Sequence, residues 1–128
     1  MARPILLDTD VLVDFFRGHG KAVAFVDTYN ARIILSSIVV AELYAGVKGN
    51  AEQAALHDFV SIFRVVPVTA EIARAAGLYK RDYARSHGVG LADAVLAATA
   101  QAENAELKTL NIKHYPMLEA LKPAYTKS

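Results

Sequence analysis

Cysteine and tryptophan are absent from this chain of 128 residues, and proline is scarce, with only four residues. Without cysteine the chain cannot form disulfides, use a thiol nucleophile or build zinc–cysteine and iron–sulfur sites. A strong charge of one sign is also missing, since 14 Lys and Arg side chains oppose 13 Asp and Glu for a formal net charge of +1. A broad basic surface for non-specific nucleic-acid binding is therefore excluded, although a local basic patch is not.

Long hydrophobic runs are missing as well. The longest stretches free of Asp, Glu, Lys and Arg are Ile33–Ala41 and Ala94–Ala102. Both are much shorter than the ~20 residues that a helix needs to cross a bilayer. In the N-terminal stretch an Asp interrupts the apolar residues after three positions, unlike a signal peptide. We therefore expect a cytoplasmic protein that has no membrane segment.

Apolar side chains are abundant, at 54% of residues, and this excludes a disordered chain. Short apolar runs predict strands at 5–7, 32–35, 65–68 and 107–110. Segments with helical spacing lie between these runs, at 11–16, 22–29, 38–47, 51–63, 70–86 and 91–102. The alternation predicts an α/β fold whose parallel sheet is covered on both faces, in one domain spanning residues 1–128.

Three carboxylates stand where such a sheet places its ligand sites, outside the carboxyl ends of the strands. Asp8 directly follows the first strand, Glu42 lies one turn into the helix after the second strand, and Asp93 lies in the first turn of an Ala-rich helix. All three occur in otherwise apolar stretches. The apolar neighbours of Glu42 predict that its side chain is poorly solvated, and a buried carboxylate without a partner costs several kcal/mol.

Each carboxylate also has a purely structural interpretation. Asp8 can serve as the N-cap of the following helix, and Asp93 can interact favourably with a helix dipole, an effect of ~0.3–1 kcal/mol. Glu42 can be an ordinary surface or ion-paired residue. If instead the three converge, their mutual repulsion raises their pKa values unless a cation lies between them. An all-oxygen ligand set suits Mg²⁺ or Mn²⁺, and such a metal can activate water for attack on a phosphodiester.

Four segments taken together resemble the PIN-domain ribonucleases, and specifically the VapC-type toxins of toxin–antitoxin pairs. In chain order they are LLDTDVLVDFFRG, VVAELYAG, GLADAVLAATA and LKTLNIKHYPM. The resemblance implies a three-layer α/β/α domain with a short central parallel sheet. It also implies an endoribonuclease that depends on Mg²⁺ or Mn²⁺, forms a homodimer and is inhibited by a cognate antitoxin protein over its active site. The RNA substrate in this family is transfer RNA or ribosomal RNA.

Residue by residue, Asp8, Glu42 and Asp93 match the family's acidic positions, and Thr9 matches its usual hydroxyl residue. Asp10 stands where the family often has Asn or Ser. The fourth acidic position departs from the family pattern, because it falls at Asn111 or His114.

Either of these two residues can replace the missing acid. We expect Asn111 to be the substitute metal ligand, since it follows the last predicted strand and an amide oxygen can serve a hard cation. His114 can bind the metal, contact an RNA phosphate or act in proton transfer.

Basic residues near these motifs are the predicted RNA or antitoxin contacts. Arg17 follows the first motif, and Arg81 and Arg85 are spaced to share one helix face. Solvated surface charge is the simpler interpretation of all three.

Two other functions remain open from sequence. The Asp8–Asp10 pair superficially copies the opening motif of haloacid-dehalogenase phosphotransferases, but Leu12 occupies the position where that family has Thr. Alternatively, the chain is a catalytically inactive PIN-fold binding module.

Overall fold

Four short parallel strands form the central sheet of the computed structural model, which describes residues 2–127. The strands are β1 Ile5–Leu7, β2 Ile33–Ser36, β3 Arg64–Val66 and β4 Glu106–Lys108, in the spatial order β3-β2-β1-β4. The central strand β1 pairs with β2 through Ile5 and Ile33 and with β4 through Leu6 and Leu107. Strands β2 and β3 are added on one side of β1, whereas β4 is added on the other side, so the strand order switches between β1 and β4. Crevices at such switch points are the usual ligand sites of open parallel sheets.

Six α-helices pack around this sheet in the three-layer α/β/α arrangement, as predicted. They are α1 Thr9–Phe16, α2 Gly20–Tyr29, α3 Ser37–Ala45, α4 Asn50–Val60, α5 Ala70–His87 and α6 Leu91–Ala102. Short 3₁₀ turns occupy Asn30–Arg32 and Ile112–His114. None of the helices between residues 2 and 127 is long and apolar enough to cross a membrane.

The core lies on both faces of β1, whose three residues are at most 1% exposed. Burial on both sides explains why this strand reads as a continuous apolar run rather than an alternating one. Helix α6 is buried along Ala94–Ala100. Its small side chains allow the helix to lie close to its neighbours, chiefly α5. The helix thereby holds Asp93, in its first turn, beside the ends of β1 and β4.

Two strands end earlier than the apolar pattern predicts, and side-chain hydrogen bonds explain both ends. Strand β3 stops at Val66 because Pro67 has no N–H and the Val68 N–H donates to Ser37 Oγ at 3.2 Å. Strand β4 stops at Lys108 because the Leu110 N–H donates to Asp10 Oδ2 at 2.9 Å. The second of these bonds ties the end of β4 to the start of α1.

The C-terminal segment, which showed no clear pattern in the sequence, returns across the first two helices. Its Ala124 N–H donates to the Thr109 carbonyl at 3.0 Å. Tyr125 Oη donates to Asp14 Oδ2 at 2.8 Å, and Lys127 Nζ lies 3.0 Å from the same oxygen. We call Asp14, Tyr125 and Lys127 the tail cluster.

Candidate active site

Asp8 combines a structural role with a position at the centre of the candidate site. It is the N-cap of α1, and its Oδ1 accepts the Thr9 N–H at 2.7 Å. Its other oxygen, Oδ2, accepts two hydroxyl groups, from Thr109 Oγ1 at 2.8 Å and from Tyr115 Oη at 2.6 Å. The capping interpretation of Asp8 is therefore correct for one oxygen, while the second oxygen faces the side chains that follow β4.

Asp10 is held against the end of β4. It accepts the Val11 N–H at 2.7 Å and the Leu110 N–H at 2.9 Å, and the Thr109 hydroxyl lies 3.2 Å away. Burial, and next the charge of Asp8, raise the pKa of the Asp10 carboxyl above its ordinary value, although these hydrogen bonds oppose the rise. The Asp10 carboxyl is therefore a partly buried group beside a second carboxylate.

Asp93 approaches Asp8 through a shared hydroxyl group. The first turn of α6 carries it, and its Oδ2 accepts the Gly90 N–H at 3.4 Å, near the limit for a hydrogen bond. Its Oδ1 lies 3.3 Å from the same Tyr115 hydroxyl that donates to Asp8. The structure therefore brings together two of the predicted carboxylates, from elements 85 positions apart in sequence numbering.

Glu42 lies on α3 and reaches the site through Thr9. The Thr9 hydroxyl donates to Glu42 Oε1 at 2.8 Å. The expectation that Glu42 is poorly solvated was wrong, because its side chain is exposed. Helix α3 buries Val39 and Leu43 instead and turns the intervening Glu42 outward. We call Asp8, Asp10, Glu42 and Asp93 the acidic cluster.

The two substitutes for the fourth acid lie side by side. His114 Nδ1 lies 3.5 Å from Asp93 Oδ2, whereas the Asn111 side-chain nitrogen lies 3.0 Å from His114 Nδ1. Asn111 was the expected stand-in ligand, but its amide contacts the imidazole rather than a carboxylate. The structure therefore places His114 next to Asp93, and Asn111 contacts the imidazole of His114 rather than Asp93.

An apolar groove opens beside Glu42, between α1, α3 and α4. It encloses about 520 Å³ and is lined by Thr9, Val13, Phe16, Arg17, Glu42, Leu43, Gly46, Val47, Lys48, Glu52, Ala55 and Leu56. Arg17, a predicted RNA or antitoxin contact, lines this groove. Arg81 and Arg85 are exposed on α5, and Arg81 pairs with Asp82 at 2.8 Å. No ion pair within residues 2–127 joins either arginine to the acidic cluster.

The acidic cluster has little positive charge to balance it. Within the described part of the chain, no Lys or Arg side chain forms a salt bridge with its four carboxylates, and the one basic side chain within 4 Å of them is His114, whose Nδ1 lies 3.5 Å from Asp93. Hard oxygen donors without a cationic partner are the chemistry that Mg²⁺ and Mn²⁺ require.

The donor types therefore fit a divalent cation, although their present arrangement is not a coordination shell. Between residues 2 and 127 no three acidic or histidine side chains already stand in the geometry of a metal site. The Tyr115 hydroxyl joins Asp8 to Asp93, and the carboxylate of Glu42 is turned towards Thr9.

Two hydroxyl residues of the site were missed by sequence reasoning. Thr109 is fully buried and directly follows β4, as Asp8 directly follows β1. A polar residue at the carboxyl end of a strand is the signal that could have indicated it. Tyr115 is also buried, at 1% exposure, and it reaches Asp8 across 107 positions of sequence. No local pattern in the sequence marks a contact of that range.

A parallel sheet with carboxylates at its switch point places hard oxygen donors where proteins of the open α/β class bind their ligands. Comparison with known proteins identifies the family. The model of the PIN domain matches residues 5–115. The chain therefore belongs to the PIN domain family, as its four motifs predicted. This membership removes the haloacid-dehalogenase alternative.

Curated relatives and solved structures agree with that assignment. Ribonuclease VapC10 of Mycobacterium tuberculosis is 42% identical over 124 residues, which cover 94% of this chain and 92% of the relative. Ribonuclease VapC19 of the same organism is 40% identical, with 94% and 98% covered.

Among solved structures, a toxin–antitoxin complex from Klebsiella pneumoniae has a TM-score of 0.82 at 25% identity, covering 94% of this chain and 98% of the other. VapBC2 of Rickettsia felis, bound to a promoter DNA fragment, has a TM-score of 0.73 at 28% identity, with 91% and 94% covered.

Proposed function

We propose that the chain is a metal-dependent endoribonuclease and the toxin of a toxin–antitoxin pair. The observation that carries this proposal is the acidic cluster, which the fold assembles at the sheet edge without a Lys or Arg partner among residues 2–127. The similarity of the chain to two ribonucleases of the VapC group, at 42% and 40% identity, supports RNA as the substrate.

Asp8, Asp93 and Glu42 are the residues that would hold Mg²⁺ or Mn²⁺, with Asn111 or His114 completing the set. The bound cation would supply an activated water and stabilise negative charge on a phosphate during in-line displacement. The protein's own contribution is to hold the carboxylates in place. Backbone N–H groups and buried hydroxyls fix Asp8 and Asp10, and the N-terminus of α6 fixes Asp93.

RNA would approach from the side of the exposed Glu42. Arg17 and Lys48, which line the neighbouring groove, are placed to attract phosphates. Transfer RNA or ribosomal RNA is the proposed substrate, and phosphate contacts of this type set affinity rather than sequence preference. Mapping of RNA 5′ ends after brief expression of the chain would identify the cleavage site.

The same groove suits the antitoxin. Its apolar lining includes Val13, Leu43 and Val47, and it ends at Thr9 and Glu42. A segment of the antitoxin lying in this groove would cover the acidic cluster and exclude RNA. The toxin–antitoxin complexes among the solved structures of similar fold support a partner of this kind. We further propose that the toxin acts in the cytoplasm as a homodimer, with residues 1–128 forming one nuclease domain.

The test is cleavage of transfer RNA and ribosomal RNA by the purified chain. We expect cleavage with Mg²⁺ or Mn²⁺, loss of cleavage with EDTA, and inhibition by the co-purified antitoxin. Cleavage that is unaffected by EDTA would contradict the metal-dependent mechanism. Absence of cleavage of any RNA by the metal-loaded protein would favour the catalytically inactive PIN-fold module.

A further inference from the structure

Tyr115 is a buried side chain whose hydroxyl contacts the acidic cluster and has no role in the proposed chemistry. It is 1% exposed, and its ring belongs to the main hydrophobic core beside β1 and β4. The surrounding core therefore fixes where its hydroxyl lies. This is a different situation from a flexible polar side chain, which would lose rotamer freedom to make the same contact.

The Tyr115 hydroxyl lies between two carboxylates. It is 2.6 Å from Asp8 Oδ2 and 3.3 Å from Asp93 Oδ1. A separation of 2.5–2.7 Å is typical of a charge-assisted O–H···O⁻ bond, which is roughly twice as strong as a neutral one. The single phenolic proton therefore belongs mainly to the bond with Asp8, while the O–H dipole also faces Asp93.

In the described part of the chain, the carboxylates that face the Tyr115 hydroxyl have no strong cationic partner of their own. Between residues 2 and 127 no Lys or Arg side chain forms a salt bridge with Asp8 or Asp93. The phenol O–H is thus a hydrogen-bond donor placed where two carboxylates approach one another.

We propose that Tyr115 is a positioning residue whose hydroxyl orients the Asp8 carboxylate, and faces that of Asp93, so that the two can bind the divalent cation. The proposal rests on the proposed metal-dependent function. Groups that orient metal ligands through hydrogen bonds commonly change metal affinity 10–100-fold when they are removed. The Thr109 hydroxyl, 2.8 Å from the same Asp8 oxygen, acts alongside it.

The test compares two tyrosines that donate to buried or half-buried aspartates. Tyr115→Phe removes the hydroxyl of the acidic cluster and retains the ring. Tyr125→Phe is the matched control, because Tyr125 donates to Asp14 at 2.8 Å in the tail cluster. Binding of Mn²⁺ to the purified full-length chain is measured by electron paramagnetic resonance of free Mn²⁺. Melting temperatures in EDTA are measured in parallel.

Tyr115→Phe is expected to raise the Kd for Mn²⁺ about tenfold. Tyr125→Phe is expected to leave that Kd unchanged while lowering the melting temperature in EDTA. A purely structural Tyr115 would lower the melting temperature and leave the Kd unchanged, which would overturn the proposal. Tighter Mn²⁺ binding by Tyr115→Phe would also overturn it, since the hydroxyl would then compete with the cation.

Two further outcomes are decisive. If the wild type binds no Mn²⁺, the proposed function fails and this inference fails with it, whereas equal binding by wild type and Tyr115→Phe overturns the inference alone. If Tyr115→Phe does not fold, Thr109→Val carries the test, because it removes the second hydroxyl donor to Asp8 Oδ2 from a fully buried side chain of similar shape. An unchanged Kd in Thr109→Val would then overturn positioning by hydroxyl groups.

Discussion

Two tyrosine–aspartate pairs, one at each end of α1, differ in a way that separates a reactive site from a structural one. In the acidic cluster, Tyr115 donates to Asp8 at 2.6 Å. In the tail cluster, Tyr125 donates to Asp14 at 2.8 Å, and Lys127 adds a positive charge 3.0 Å from the same oxygen. The hydrogen bonds are alike, and the difference between the clusters is the cation.

The pKa values of two aspartates on α1 record this difference. Burial opposes ionisation of Asp14, but hydrogen bonds from Lys127 and Tyr125 outweigh it and lower the pKa of Asp14. Burial and the charge of Asp8 raise the pKa of Asp10, one helical turn earlier. A buried carboxylate with its own cation stabilises the fold, whereas a group of carboxylates without one retains the charge that attracts a metal.

Replacing aspartates of the acidic cluster should give the largest effect. Asp8→Asn and Asp93→Asn keep the shape of the side chain and remove the charge that holds the cation. We expect each to reduce RNA cleavage by at least about 100-fold and to relieve growth arrest. The measurement is initial cleavage rate at saturating Mg²⁺, together with growth after induction at matched levels of soluble protein.

Asp14→Asn is the matched control in the tail cluster, because it makes the same chemical change on the same helix. It should cleave RNA at close to the wild-type rate below its melting temperature. Growth arrest by soluble Asp8→Asn, or loss of cleavage in folded Asp14→Asn, would break the distinction between the two clusters.

Stability should respond to Asp14→Asn with a defined pH dependence. The pKa of Asp14 is lower in the folded state, so its ionised form stabilises the fold above the unfolded-state value near 3.8. This contribution is lost as pH falls through the folded-state pKa. Urea unfolding at neutral pH should show a loss of about 1–3 kcal/mol in Asp14→Asn. The difference from wild type should shrink in acid below that range, and a pH-independent difference would contradict the assignment.

A smaller effect is expected at the position of the missing acid. His114 contacts Asp93 and Asn111 contacts His114, so His114→Ala should raise the Mn²⁺ concentration for half-maximal cleavage more than Asn111→Ala does. We expect a roughly threefold to tenfold rise for His114→Ala, smaller for Mg²⁺ because imidazole suits the softer ion. Asn111→Asp should lower the Mg²⁺ requirement by adding an anionic oxygen. If all variants titrate alike, neither residue acts on the metal.

The smallest effect concerns the groove. Arg17→Ala should weaken RNA binding about threefold and reduce its dependence on salt, since one phosphate contact is lost. Arg64→Ala is the control. Arg64 is the first residue of β3, so it lies at the amino ends of the parallel strands, away from the carboxyl ends that carry the acidic cluster, and it pairs with Glu103 at 2.7 Å. Equal salt dependence in both variants would place RNA elsewhere on the surface.

The fold was largely predictable from sequence because its signals are local. Apolar runs such as Ile5–Leu7 and the apolar stripe of α5 need no partner to be recognised, and the α/β/α prediction is confirmed. Strand ends were less predictable. The apolar pattern continues past Val66, but Pro67, which has no N–H, and a tertiary bond from the Val68 N–H to Ser37 end β3 there.

The candidate site was predictable in part, for the same reason. Asp8 follows a recognisable strand, and Glu42 and Asp93 lie in recognisable helices, whereas their roles stay predictions until cleavage is measured. The exposure of Glu42 was mispredicted, because apolar sequence neighbours do not determine which face of a helix points to solvent. The Tyr115 contact could not be predicted, since it depends on how the segment after β4 packs over the sheet edge.

The central claim is that the acidic cluster holds its charge for a cation while the tail cluster does not, and melting with Mn²⁺ tests it most directly. A ligand that binds only the native state raises the melting temperature. We predict that Mn²⁺ raises the melting temperature of wild type and of Asp14→Asn, both measured against EDTA, and leaves that of Asp8→Asn unchanged. Equal stabilisation of Asp8→Asn by Mn²⁺ would contradict the account, because the cation would then bind without the carboxylate at the centre of the site.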